Sequence, residues 1–158
     1  MNSHTSYIQE LAAQTLNNLG YKTLPVPIED VANRLGLRVV EFDFPNSMSG
    51  VLKKERKVIG VNKNHHPVRR RFTIAHELGH FLLGHDIGKD DDVIDDDFDK
   101  PIPKEREANI FASCILMPAT WVKTEVQGKK IDLKELARKF EVSEQAITIK
   151  LLELNLIK

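Results

Sequence analysis

Arg71-Phe72-Thr73-Ile74-Ala75-His76-Glu77-Leu78-Gly79-His80 sets two histidines four residues apart, with a glutamate directly after the first. On a helix turning about 100° per residue, His76 and His80 share one face and can grip a single metal ion. Glu77 sits about 100° further round, which suits contact with a metal-bound water rather than ligation. Arg69, Phe72 and Leu83 belong to the histidine face, whereas Ile74, Leu78, Phe81 and Leu82 lie on the other side and suit a core. Neutral imidazoles one turn apart are good zinc ligands, but a catalytic zinc needs a third protein ligand.

His85 is the nearest candidate for that ligand and a poor one. If the helix continues, it points about 180° away from His76. An extended His-x-x-Gly-x-x-His pattern would need glycine and histidine where Leu83 and Asp86 stand. His85 is therefore expected to satisfy carbonyls at the helix end. In sites of the His₂Glu type the third ligand is a carboxylate on a later helix. Glu105 and Glu107, in Glu105-Arg106-Glu107-Ala108-Asn109-Ile110-Phe111-Ala112, both qualify by type.

Outward from the motif, the helix starts at Pro67 and has Gly84 as its natural stop. Before it, Tyr7 to Leu19 reads as a helix closed by Gly20, and Pro27 opens a second helix that stops at Gly36. Leu37 to Phe42 reads as a strand, and Gly50 to Lys53 with Val58 to Val61 as a hairpin. Asp86 to Lys100 shows neither period and reads as a loop. Pro101 and Pro103 introduce a helix that Pro118 ends, and a short helix through Trp121 reaches Gly128. Asp132 and Glu135 have capping-box spacing at the start of a helix to Phe140, and a last helix spans Ser143 to Leu154.

The chain has 158 residues, 41% of them hydrophobic and 29% charged, which fits one soluble domain with an ordinary core. Its single cysteine, Cys114, excludes an intrachain disulfide framework. With no spanning apolar run and no secretion-type start, a cytoplasmic protein without a membrane is expected. Net charge is zero, yet Lys53 to Arg71 holds eight bases against one acid and Asp86 to Asp99 eight acids against one base. Overall steering of a charged partner is thereby excluded, whereas local pairing is not.

The motif string Arg71 to His80, with Glu107-Ala108-Asn109-Ile110-Phe111-Ala112 and the following Leu116-Met117-Pro118, resembles the ImmA/IrrE family of metallopeptidases. Pro25-Val26-Pro27-Ile28-Glu29, the helix ending in Leu35-Gly36 and the hairpin at Ser49-Gly50 fit the same layout. The resemblance implies an α+β, minimal zincin-like fold of the gluzincin type: a small sheet with an active-site helix, followed by a helical C-terminal segment. It implies Zn²⁺ held by His76, His80 and Glu107, because the family's glutamate directly precedes the Ala-Asn pair. Glu105 is then expected to be solvated. Glu77 would be the catalytic base of an endopeptidase. The implied partner is a protein substrate, such as a helix-turn-helix repressor of a prophage, mobile element or toxin–antitoxin-like pair. The alternative is a non-proteolytic regulator that binds the repressor and uses zinc for structure. Some members carry a C-terminal sensor-like domain, and sensing through one is not expected here.

Residues 1–128 are expected to form the peptidase domain and residues 129–158 a helical segment packed on it. Leu136 to Ile147 resembles a helix-turn-helix, but Lys129 to Lys158 balances seven bases against five acids. A structural or partner-binding pair is therefore favoured over direct nucleic-acid binding. Cys114, seven residues past Glu107, sits about 10.5 Å along a helix axis, too far for the same ion. The aspartate run lacks the calcium-loop pattern and reads as a solvated flap near the cleft. Arg69-Arg70-Arg71, directly before the motif, suits packing or substrate contacts.

Overall fold

Prolines and side-chain caps punctuate the chain into short helices around a small sheet. The computed structural model describes residues 3–85, 93–95 and 103–158. Helices α1 (Ser3–Leu19) and α2 (Ile28–Arg34) precede strands β1 (Arg38–Phe42), β2 (Met48–Lys53) and β3 (Val58–Asn62). The motif helix α3 (Pro67–Leu82) follows, then β4 (Val93–Asp95), α4 (Pro103–Leu116), α5 (Ala119–Val126), α6 (Leu133–Phe140) and α7 (Glu144–Glu153). The chain is thus α+β, with strand order β1-β3-β2-β4.

The hairpin read from the sequence pairs β2 with β3 antiparallel, from Gly50 opposite Val61 to Lys53 opposite Val58. Strand β1 runs parallel to β3. One expectation is corrected: Val93, Ile94 and Asp95, read as loop, pair antiparallel with β2 and extend the sheet. Their alternation is too short to register as a strand period, and the partner edge supplies the order. The rest of the aspartate run, with the expected flap, lies outside the described residues.

Two glycines set how closely these layers stack. A Cβ on Gly50 would fall 2.5 Å from Thr73 Cγ2 and 2.6 Å from the Gly60 carbonyl, so β2 lies tight against α3. A Cβ on Gly79 would fall 3.0 Å from Phe111 Cδ1, so α4 also packs close on the helix's other flank. Between them Leu52, Ile59, Ile74, Leu78, Phe111 and Ile115 form the buried core. Full burial of such side chains stabilises by about 1.5–3 kcal/mol each.

The C-terminal helices share that core through Leu136, Phe140, Ile147 and Leu151. Asp132 accepts from the Glu135 amide at 3.2 Å and Ser143 from the Ala146 amide at 3.0 Å, capping α6 and α7. Arg71 fastens the pair to the motif helix. Its guanidinium donates to the carbonyls of Val26 (2.8 Å), Glu141 (3.1 Å) and Phe140 (3.3 Å). Arg71 therefore serves packing, while Arg70 pairs with Glu41 at 2.7 Å. Cys114 is a buried free thiol, its pKa raised by burial.

Candidate metal centre

Pro67 sits at the first turn of α3, with the His66 side chain accepting from the Val68 amide, and the helix runs unbroken through the motif. Thr73 to His80 is buried throughout, so the two histidines and Glu77 are held deep in the molecule rather than on a surface. Such a placement is costly for polar groups unless they are partnered. Gly84, at φ +69°, ends the helix in a left-handed turn and brings His85 back beside it.

His76 Nε2 and His80 Nε2 stand 3.1 Å apart. Glu105, near the start of α4, reaches both: Oε2 lies 2.8 Å from His76 Nε2 and Oε1 3.1 Å from His80 Nε2. His76, His80 and Glu105 form the group among the described residues whose donor atoms all lie within 4.8 Å of one another. Burial alone would raise the Glu105 pKa, but hydrogen bonds and charge from His76 and His80 hold it well below the usual carboxylate range.

The outer atoms of the rings fit a metal. Asn109 Oδ1 lies 2.6 Å from His76 Nδ1. An amide oxygen only accepts, so a His76 bound to a metal through Nε2 would carry its proton on Nδ1 and donate it to Asn109. Donors about 2.0–2.2 Å from a tetrahedral zinc stand roughly 3.3–3.6 Å from one another, so the three atoms, 2.8–3.1 Å apart here, need to spread by a few tenths of an ångström to take one. Two imidazoles and one carboxylate are the donor set of a catalytic zinc with one position left open. The Glu105 side chain, 30% exposed, is where this buried group meets solvent.

The carboxylate that the structure brings to this group is Glu105, whereas Glu107, expected as the third ligand, stands apart from it. The cause is helix geometry. Asn109 faces His76, and on α4 the residue one turn before it is Glu105, whereas Glu107 lies about 200° round from Glu105. Glu107 Oε1 instead meets His85 Nε2 at 2.6 Å, and Oε2 meets His4 Nε2. Burial would raise the Glu107 pKa, but hydrogen bonds from His85 and His4 keep it lowered. His85 Nδ1 in turn lies 2.9 Å from His80 Nδ1. The helix end is capped by backbone, with the His85 amide donating to the His80 carbonyl at 3.0 Å, so the imidazole of His85 is free for other contacts. Asn109 was legible as a signal: a carboxamide four residues after a glutamate can orient the histidine that the glutamate faces.

Glu77 is fully buried, one residue after His76. Strand β2 passes over it, since a Cβ on Gly50 would fall 3.7 Å from Glu77 Oε2. A buried helix bearing two inward histidines, a carboxylate from the next helix and an adjacent glutamate is a set of groups that could hold a metal ion, of the kind metallopeptidases use. The family comparison agrees: residues 32–152 match the peptidase M78 model, the IrrE N-terminal-like domain. The chain belongs to that ImmA/IrrE family of metallopeptidases.

Two curated relatives are radiation response metalloproteases IrrE. The protein of Deinococcus radiodurans is 35% identical over 105 residues, covering 60% of this chain and 30% of the relative. That of Deinococcus deserti is 36% identical over 103 residues, covering 60% and 35%. The chain thus spans about a third of the length of the curated relatives it matches. Among solved structures, a Mycobacterium tuberculosis transcriptional regulator superposes with a TM-score of 0.66 at 20% identity, over 92% of this chain and 46% of that one. This likeness shows a shared fold.

Proposed function

We propose that the chain is a zinc-dependent endopeptidase in which His76, His80 and Glu105 hold the metal and Glu77 is the general base. The observation that carries the reading is the pair of inward Nε2 atoms 3.1 Å apart with Glu105 across both. A bound zinc would supply Lewis acidity, polarising the scissile carbonyl and acidifying the attacking water. The remaining work belongs to the chain. Asn109 holds the His76 ring, and Glu105 sits at the solvent side where a peptide enters. Glu77 takes the proton from the attacking water and delivers it to the leaving amine. Its burial keeps competing water away from that transfer.

The family supports a regulatory protein as substrate, with a helix-turn-helix repressor as the specific choice. Cys114 as the sole, unpaired cysteine fits work in a reducing cytoplasm. Among the described residues no helix is long and apolar enough to cross a membrane.

The test pairs the zinc-loaded protein with helix-turn-helix repressors from the same genome and follows fragments by mass spectrometry. Glu77→Gln is expected to keep its zinc and to lose cleavage by about 10²–10⁴-fold, the scale of acid–base catalysis. If Glu77→Gln still relieves repression in full, the peptidase reading fails and a binding regulator replaces it.

A further inference from the structure

The two metal-facing histidines differ in what stands behind them. His76 has an amide oxygen, which fixes its tautomer by itself. Behind His80 stands another imidazole, His85, which can donate or accept. A donating His85 Nδ1 would force the His80 proton onto Nε2 and spoil it as a ligand. Something must decide between the two states.

We propose that Glu107 decides it, through a hydrogen-bonded relay Glu107–His85–His80 that holds the His80 imidazole with Nε2 bare. The relay rests on the metal reading above, with His85 and Glu107 as positioning residues. Ionised Glu107 can only accept, so the 2.6 Å contact to its Oε1 requires a proton on His85 Nε2. A neutral His85 then has a lone pair on Nδ1. With His80 Nε2 on a metal its proton sits on Nδ1, and the 2.9 Å contact between the two Nδ1 atoms then has His80 donating to His85.

The surroundings favour this use over simple packing. Backbone bonds already cap α3, from the Leu83 amide to the Gly79 carbonyl and from the His85 amide to the His80 carbonyl. His85 is 7% exposed, so its ring nitrogens need partners inside the protein. Glu107 is held at both oxygens, by His85 and by His4 on α1, which fixes the carboxylate as a rigid acceptor. Partners of this kind typically change metal affinity by about 10–100-fold when removed.

The experiment measures zinc affinity by competition with a chromophoric chelator for wild type, His85→Leu, His85→Asn and Glu107→Leu. Asparagine places its Oδ1 near the position of the lost Nδ1 and restores an acceptor, whereas leucine fills the space without one. His85→Leu should bind roughly 10–100-fold more weakly. His85→Asn should recover most of the loss, and Glu107→Leu should fall between wild type and His85→Leu. Melting of the metal-free proteins identifies any variant that fails to fold. A second readout needs no variant: long-range ¹H–¹⁵N spectra of the zinc-loaded wild type should show His85 protonated at Nε2 and His80 at Nδ1. His85 protonated at Nδ1, or leucine and asparagine weakening zinc equally, overturns the relay while leaving the metal site standing. Failure of wild type to take up one zinc, or uptake undisturbed in His80→Ala, overturns the metal reading and the relay together.

Discussion

Replacing Gly79 with alanine probes how helix spacing sets the metal geometry. The new methyl carbon would lie 3.0 Å from Phe111 Cδ1, 3.1 Å from its Cβ and 3.2 Å from its Cγ. Non-bonded carbons rest about 3.5–4.0 Å apart, so α3 and α4 must separate by roughly half an ångström. Rotating the ring cannot relieve a contact that includes Phe111 Cβ, and the residue is fully buried. Alanine gains about 1 kcal/mol of helix propensity, while overpacking costs about 1–3 kcal/mol. The net stability loss is therefore small, about 0–2 kcal/mol, or a few degrees in melting temperature for a domain of this size. Metal binding is less forgiving. Glu105 and Asn109 ride on α4, His76 and His80 on α3, and a site tolerates only about 0.2 Å of error in ligand distance. Zinc affinity should drop roughly tenfold or more, out of proportion to the melting shift. Isothermal competition with a chelator and melting of the metal-free protein separate the two effects. Wild-type zinc affinity with a raised melting temperature would show that α4 gives way locally, and would refute the claim that Gly79 sets the spacing.

Glu105→Ala should abolish stoichiometric zinc uptake, whereas Glu107→Ala should retain one zinc with weakened affinity; metal analysis after desalting distinguishes them, and the reverse order would restore Glu107 as the ligand. Arg71→Ala strands the carbonyls of Val26, Phe140 and Glu141, so chemical denaturation should show a loss of about 2–3 kcal/mol with zinc stoichiometry unchanged. Equal stability of the two proteins would mean that the C-terminal pair is held by its apolar contacts alone.

Much of the architecture was legible because local signals agreed with one another. Pro67 and Gly84 bracket α3, Pro118 separates α4 from α5, and Asp132 and Ser143 cap the last two helices. Each is a residue whose backbone or side-chain chemistry acts within a few positions. Strand β4 was illegible for the complementary reason: Val93-Ile94-Asp95 carries too little pattern of its own, and its pairing with β2 is decided by a distant edge. The parallel pairing of β1 with β3 is likewise a tertiary choice that alternation alone does not express. Arg71 belongs to the same class, since its carbonyl partners come from separate parts of the chain.

The site shows where a motif stops being sufficient. His76, Glu77 and His80 follow from one helical turn, because their relative positions are fixed by the helix itself. The third carboxylate belongs to another helix, and its identity depends on the rotation of α4 about its own axis. That rotation goes with the burial of Ala108, Phe111 and Ala112, Phe111 packing on Gly79 of α3, and it leaves Glu105 and Asn109 toward the histidines. Glu107 is two residues on and is turned away from them, toward His4 of α1 and His85 just past α3. The angular argument that set His85 aside as a direct ligand contains the same logic, applied to one helix only. Applied to α4, with Asn109 placed against His76, it puts Glu105 rather than Glu107 on the side of the histidines. His85 then acquires a role that neither ligation nor capping describes, because the ring that cannot reach the metal still determines which nitrogen of His80 does.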